Sequence, residues 1–259
     1  MLRRLMFWIA LPLILLYLGL CGFMYVRQRD LIYYPQVTRG EATQTDFELR
    51  RDGVALRGWL VNPGQSRALI YFGGNAESVQ YNRDSFANWF PEHSVYLVAY
   101  RGFGASEGAP TEQDLVGDAL ALYDHVQKRH PGVSIDVIGR SLGSGVASQV
   151  AAQRPVQRLV LVTPYDTIAD VGQAHYRWLP VYWLAKDRFD SVQHLSKHQG
   201  RLLVVRAGRD TVIPSANTQR LIDSLSRPPQ VIDLPAADHS NVSLDPAYAK
   251  AITAFFAKP

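Results

Sequence analysis

From about residue 45 onward, short runs rich in β-branched and aromatic residues alternate with longer stretches whose apolar positions recur every three or four residues. A period of two marks a strand and a period of 3.6 marks a helix, so this alternation predicts a mostly parallel sheet with helices on both faces. Eight strands are expected, at about 45–50, 54–61, 68–72, 94–100, 134–139, 157–162, 201–206 and 230–234. Helices are expected at about 76–89, 111–129, 142–153, 215–226 and 246–257. Thr111, followed by Glu112, Gln113 and Asp114, opens the second helix in the manner of a capping box, with the threonine hydroxyl accepting an orphan amide hydrogen. Leu115, Ala119, Leu122 and Val126 then form its buried stripe. Between about 163 and 199 the alternation fails, and Trp178, Tyr182 and Trp183 stand among prolines; this segment reads as a cap inserted over the sheet. There is no internal repeat and no low-complexity tract.

The beginning of the chain follows a different rule. The 22 residues from Leu5 to Val26 carry no charge. At a rise of about 1.5 Å each they reach about 33 Å, enough for a hydrocarbon core of about 30 Å. Trp8 and Tyr25 sit near the ends of the run, with Tyr33 and Tyr34 just beyond, where amphipathic rings favour the headgroup region. Residues 1–30 are therefore expected to form a single-pass membrane anchor, and 31–259 one folded domain with its cap at about 163–199. A cleaved secretory signal is the alternative, disfavoured because the run exceeds a typical apolar region of about 7–15 residues and no small-x-small site follows it. Arg3, Arg4 and the amino terminus stand against Arg27 and Arg29, a near tie that points slightly to an extracytoplasmic domain.

Composition sharpens this picture at two points. A chain of 259 residues with 47% apolar content can bury the core of one large domain. Of the formal net charge of +4, four arginines set against Asp30 contribute three units within the first thirty residues. The basic excess belongs to the segment that meets lipid, and no basic stripe is left on the domain, which excludes nucleic-acid binding as the main function. Cys21 is the sole cysteine and lies inside the apolar run, so the domain has no thiol for a disulfide, a metal-thiolate site or nucleophilic catalysis.

Two stretches match G-x-S-x-G: 104–108, around Ser106, and 139–143, around Ser141. A bare match arises by chance in roughly one chain in ten of this length, so context must decide. A nucleophile elbow needs a strand entering a sharp turn and a helix leaving it. Ser141 has both, with Ile135, Val137 and Ile138 leading in and Val146, Ala147, Val150 and Ala151 continuing as helix. Ser106 instead runs into Gly108, Ala109 and Pro110, where no helix can start before Thr111. Ser141 is the expected nucleophile.

A serine hydroxyl needs a base, and histidine suits the task because its ordinary pKa of about 6.5 lies near working pH. In this architecture the chain order is Ser, then acid, then His. His93, His125 and His130 precede Ser141, and His175, His194 and His198 fall in the cap region, which leaves His239, in a loop after the last expected strand. An acid must hold that imidazole in the useful tautomer. Asp210, just after the strand at 201–206, fits best; Asp166 and Asp170 are the reserve choices. Acyl transfer also needs amides aimed at the developing oxyanion. The backbone amide of Leu142 is expected to be one donor and that of Asn75, beside the pair Gly73 and Gly74, the other. No G-x-G-x-x-G or P-loop pattern supports a nucleotide cradle.

Taken together, Phe72 to Ala76, Tyr100 to Ser106, Gly139 to Gly143, Thr163 to Asp166, Gly208 to Pro214 and the pair Asp238 and His239 resemble membrane-anchored α/β hydrolases. The likeness is to the serine aminopeptidase and lysophospholipase-like group, including depalmitoylase-like members, and covers nearly the whole chain. It implies an α/β-hydrolase fold that cleaves esters, thioesters or amides through an acyl-enzyme, with no metal and no organic cofactor. One departure is that Gly73 stands where relatives usually carry histidine. The expected substrate is a small-molecule or lipid-like acyl compound. A non-catalytic α/β-hydrolase-fold binding protein is the alternative, and an aminopeptidase a third reading.

Overall fold

The computed structural model describes residues 2–257 and places eight strands in one sheet. These are β1 (Phe47–Arg51), β2 (Val54–Val61), β3 (Arg67–Phe72), β4 (His93–Val98), β5 (Ile135–Arg140), β6 (Arg158–Val162), β7 (Arg201–Ala207) and β8 (Gln230–Leu234). Met1, Lys258 and Pro259, at the ends of the expected segments 1–30 and 31–259, lie outside the description, as do the side chains of residues 2–5, Arg3 and Arg4 included. The order across the sheet is β1-β2-β4-β3-β5-β6-β7-β8. Strands β4, β3, β5, β6, β7 and β8 pair in parallel, and β2 pairs antiparallel with β1 and β4.

Strands covered on both faces read as continuous apolar runs, which is why Leu159–Val162 and Leu202–Val205 show almost no polar alternation. The covering helices are α2 (Arg83–Trp89), α3 (Glu112–Arg129), α4 (Leu142–Gln153), α8 (Ser215–Ser224) and α9 (Pro246–Ala257). Thr111 caps α3 as expected, its hydroxyl accepting the Asp114 amide at 3.1 Å. Every expected strand, and every expected helix but one, is present within about two residues of its place. The exception is the helix expected at 76–89, which begins only at Arg83 after a 3-10 turn at Val79–Asn82. Ala76 is held at φ 57°, and the Glu77 carboxylate turns back to accept the Gly74 amide at 2.6 Å, so residues 73–78 form a loop instead of a first turn.

The 163–199 segment is more regular than its sequence pattern suggests. It contains three short helices, α5 (Ile168–His175), α6 (Val181–Leu184) and α7 (Ser191–Leu195). Before the sheet comes α1 (Leu2–Ile32), which contains the uncharged run and continues beyond it. The stretch Met6–Val37 is long and apolar enough to cross a membrane: its 18-residue apolar window has mean hydropathy 2.2, and none of that window is buried in the protein. Past that run the helix docks on the cap: Arg29 donates to both oxygens of Asp187, at 2.9 and 3.2 Å, and the Tyr33 hydroxyl donates to the same carboxylate at 3.0 Å.

Candidate active site

Strand β5 lies centrally, between β3 and β6, and at its carboxyl end the chain turns into α4 through Ser141. That serine has φ 48° and ψ −117°, a conformation costing an L-residue on the order of 1–3 kcal/mol, so its surroundings must impose it. They do so from both sides of the turn. The Ser141 amide donates to the Val162 carbonyl at 2.9 Å, and the Ser141 carbonyl accepts the amide and hydroxyl of Ser144 at 2.8 and 2.6 Å. Glycine is required at two flanking positions. A Cβ on Gly139 would stand 2.4 Å from the Gly143 carbonyl oxygen, and one on Gly143 would stand 2.0 Å from the Phe72 carbonyl oxygen.

The two strands beyond β6 in the parallel sheet supply the partners. Asp210 follows β7, and His239 follows β8, each in a loop at the same carboxyl edge as Ser141. His239 Nε2 lies 2.9 Å from Ser141 Oγ, and His239 Nδ1 lies 2.8 Å from Asp210 Oδ2. The other oxygen of Asp210 accepts the amides of Val212 and Ile213 at 2.9 and 2.8 Å, which fixes the carboxylate with one oxygen facing the ring. All three groups are largely shielded: Ser141 is 8% exposed, and the side chains of His239 and Asp210 are 15% and 7% exposed. Shielding strengthens each of these polar contacts because little water competes for them.

The loop after β3 closes the site from the other side. Gly74 packs against Ser141, so close that a Cβ there would be 3.6 Å from Ser141 Cβ. The Gly73 carbonyl accepts the buried Tyr100 hydroxyl at 2.9 Å, so the loop is anchored by its backbone where relatives are expected to carry histidine. Asn75 lies in this loop, and its side-chain oxygen accepts the Tyr34 amide at 3.1 Å. Leu142 is the first residue of α4, where an amide has no intrahelical acceptor.

The remaining candidates go elsewhere. The Ser106 hydroxyl donates to the Ala99 carbonyl at 2.8 Å and accepts the Arg57 amide at 2.8 Å, tying a loop to the sheet with no histidine at hand. Asp166 is occupied by Asn217 and Arg220, at 2.7 and 2.6 Å, and Asp170 pairs with Thr167 at the start of α5. His93 forms a second His–Asp pair with Asp136, 3.1 Å apart, but both are buried within a cluster that includes Arg158. A concavity of about 470 Å³ lined by Ala151, Gln193, His194, Lys197 and His198 contains none of the triad. Among the described residues, no group of three or more His, Cys, Asp or Glu is placed to hold a metal ion.

Sequence reasoning passed over two charged residues that organise the site. Glu77 accepts the Gly74 amide, the Tyr71 hydroxyl and the Asn82 amide group, at 2.6, 2.7 and 2.7 Å. Arg140, the variable residue before the nucleophile, pairs with Glu77 at 3.6 Å. Burial by itself would lower the Arg140 pKa, but the Glu77 carboxylate and the Tyr71 and Tyr248 hydroxyls outweigh it, and the pKa lies above the ordinary arginine value. The available signal was two charges flanking glycine-rich turns that are otherwise apolar.

Comparisons with known proteins identify the family and fold. A family model described as serine aminopeptidase, S33, matches residues 65–239. An uncharacterized protein of Mycobacterium tuberculosis is 31% identical over 239 residues, covering 87% of this chain and 85% of its own length. Lysophosphatidylserine lipase ABHD12 of Danio rerio is 32% identical over 149 residues, 51% of this chain and 39% of that protein. Among solved structures, Est1E from Butyrivibrio proteoclasticus with bound ferulic acid superposes with a TM-score of 0.66 at 16% identity, covering 82% of this chain and all of that one. At that identity the likeness establishes the fold alone.

Proposed function

We propose that this chain, which belongs to the serine aminopeptidase S33 family of α/β hydrolases, cleaves carboxylic ester, thioester or amide bonds through an acyl-enzyme formed on Ser141. One relationship carries the reading: the His239 ring stands between Ser141 Oγ and Asp210 Oδ2, at 2.9 and 2.8 Å. Ser141 Oγ attacks the substrate carbonyl carbon while His239 Nε2 takes the hydroxyl proton. Collapse of the tetrahedral adduct breaks the bond to the leaving group, which departs with that proton. Water then attacks the acyl carbonyl, gives a proton to Nε2, and the second collapse returns it to Oγ with release of the acid. Asp210 accepts the Nδ1 hydrogen throughout and stabilises the imidazolium. The amides of Leu142 and Asn75 serve as oxyanion donors, each worth roughly 10²–10³ in rate.

The substrate we infer is a small-molecule or lipid-like acyl compound. Support comes from the apolar α1, from the aromatic cap, and from a partial relative named as a lysophosphatidylserine lipase. In this reading residues 1–30 form a single-pass anchor and 31–259 the hydrolase domain, on the extracytoplasmic side that the near-balanced flanking arginines slightly favour. No metal or organic cofactor takes part.

Incubation of the full chain with a fluorophosphonate probe tests the chemistry. Labelling at Ser141, its loss in Ser141→Ala, and hydrolysis of a short p-nitrophenyl ester that falls by as much as ~10⁶ in that variant are expected. Folded protein that neither takes the probe nor turns over the ester would make the chain a binding protein built on a hydrolase fold.

A further inference from the structure

Where the cap lies along α1 is fixed by contacts at both ends of its exposed stretch. The Tyr17 hydroxyl donates to the Trp178 carbonyl at 3.0 Å. Eleven residues further along the helix, Gln28 donates to the Leu184 carbonyl at 3.1 Å and accepts the Lys186 amide at 2.6 Å. Residues 178–184 therefore run beside about 16 Å of helix. Tyr17 lies within the uncharged run Leu5–Val26, near its middle. If Tyr17 sat at the membrane surface, only Leu5–Leu16 would remain to cross, about 18 Å against a hydrocarbon core of about 30 Å. A complete crossing and the Tyr17 contact are compatible only when the cap enters the leaflet with the helix.

We propose that residues 176–184 are a second membrane-embedded element, seated in the lipid leaflet beside α1, so that the cap side of the active site faces lipid and not water. The proposal rests on the reading of α1 as a membrane span and goes beyond it. Three observations on this segment fit a lipid occupant. Trp183 is 82% exposed and Trp178 60% exposed, with Tyr176 and Tyr182 also exposed, a contiguous run of rings suited to the interfacial zone.

Many of the segment's backbone carbonyls are paired within the protein, as irregular chain at membrane depth requires. Beyond the two carbonyls held by α1, the Leu179 carbonyl accepts the Gln173 side chain at 2.9 Å and that of Tyr182 accepts Arg188 at 3.1 Å. The Pro180 carbonyl accepts the amides of Trp183 and Leu184. Charge is complementary as well. Asp187, the only acid between 176 and 189, is buried and neutralised by Arg29, which leaves Lys186, at the Gln28 end of the contact, as an exposed cation for anionic headgroups. The cap also touches the loop that holds Asp210, with His175 Nε2 2.8 Å from the Val212 carbonyl, so the lipid-facing element and the proposed triad loop are directly joined.

The test uses the full chain with Cys21→Ser, reconstituted in phosphatidylcholine–phosphatidylglycerol vesicles containing lipid with a nitroxide on the acyl chain. A single cysteine carrying an environment-sensitive fluorophore replaces Trp183, Leu13 in the anchor, or Lys128 at the far end of α3. The expected result is blue-shifted emission and strong quenching at 183 and 13, with neither at 128. Quenching at 13 with a label at 183 that behaves like the one at 128 overturns the proposal and leaves the anchor intact. An unquenched label at 13 removes the membrane span itself, and the proposal with it.

Discussion

Arg140 reaches from the Ser141 turn to the loop that carries His239, its Nη2 donating to the His239 carbonyl at 3.1 Å and the Ser240 carbonyl at 3.0 Å. Its other arm pairs with Glu77, which holds the Gly74 amide. One guanidinium thus ties together the three loops on which proton transfer and oxyanion binding are proposed to depend. A fork of fixed geometry does this better than a flexible ammonium.

Arg140→Met should accordingly lower kcat by roughly 10–100-fold, about 1.4–2.7 kcal/mol, with KM nearly unchanged, because the loss is of alignment and not of substrate contact. Arg140→Lys should recover part of it. A drop confined to KM, or none, would mean that the arginine serves stability alone. Steady-state kinetics on a soluble ester, with melting temperatures alongside, separate these outcomes.

Asp210→Asn keeps an oxygen able to accept the amides of Val212 and Ile213, so the loop should fold as before. The carboxamide cannot stabilise the imidazolium and favours the wrong tautomer of His239. A fall in kcat of about 10³–10⁴ is expected, with little change in melting temperature and a matching fall in fluorophosphonate labelling rate. Near-normal turnover would assign the acid role to another residue.

Gly143→Ala should cost far more than a typical surface change. The added methyl would meet the backbone oxygens of Phe72 and Gly73, at 2.0 and 2.6 Å, neither of which can rotate aside. Destabilisation of about 1–3 kcal/mol or more follows, read as a lowered denaturation midpoint. Because β3 and the elbow must separate to relieve the clash, esterase activity should fall further than stability.

Most of the frame was legible because periodicity and burial agree wherever the sheet is covered on both faces, as in Leu159–Val162 and Leu202–Val205. The residues proposed as the triad could be chosen because chain order and strand ends restrict each role to few positions. What escaped were relationships between segments distant in sequence. Glu77 and Arg140 read as ordinary loop charges until the fold brings β3 and β5 together. Helix propensity at 76–82 gave way to a side chain, Glu77, that satisfies the Gly74 amide better than a helical turn would. The docking of Arg29 on Asp187 joins residues 158 positions apart, and no local pattern marks it.

The last prediction concerns pH. Burial lowers the pKa of His198, whose Nε2 is buried with no hydrogen-bond partner among the described residues. Burial, with Arg129 and Lys128 beside His125 and Arg129 beside His130, lowers the pKa of those two rings as well. The folded protein therefore holds all three as neutral more strongly than the unfolded chain does. Below the unfolded value of about 6.5 the unfolded chain binds more protons, so the stability these rings contribute is complete above about pH 6.5 and is lost as pH falls through their depressed folded values. His198→Leu removes one such ring from a buried position, and the fall in melting temperature between about pH 7.5 and about pH 5.5 should shrink relative to the parent. Equal falls in the two proteins, measured by circular dichroism in matched ionic strength, would show that protonation of His198 does not oppose folding.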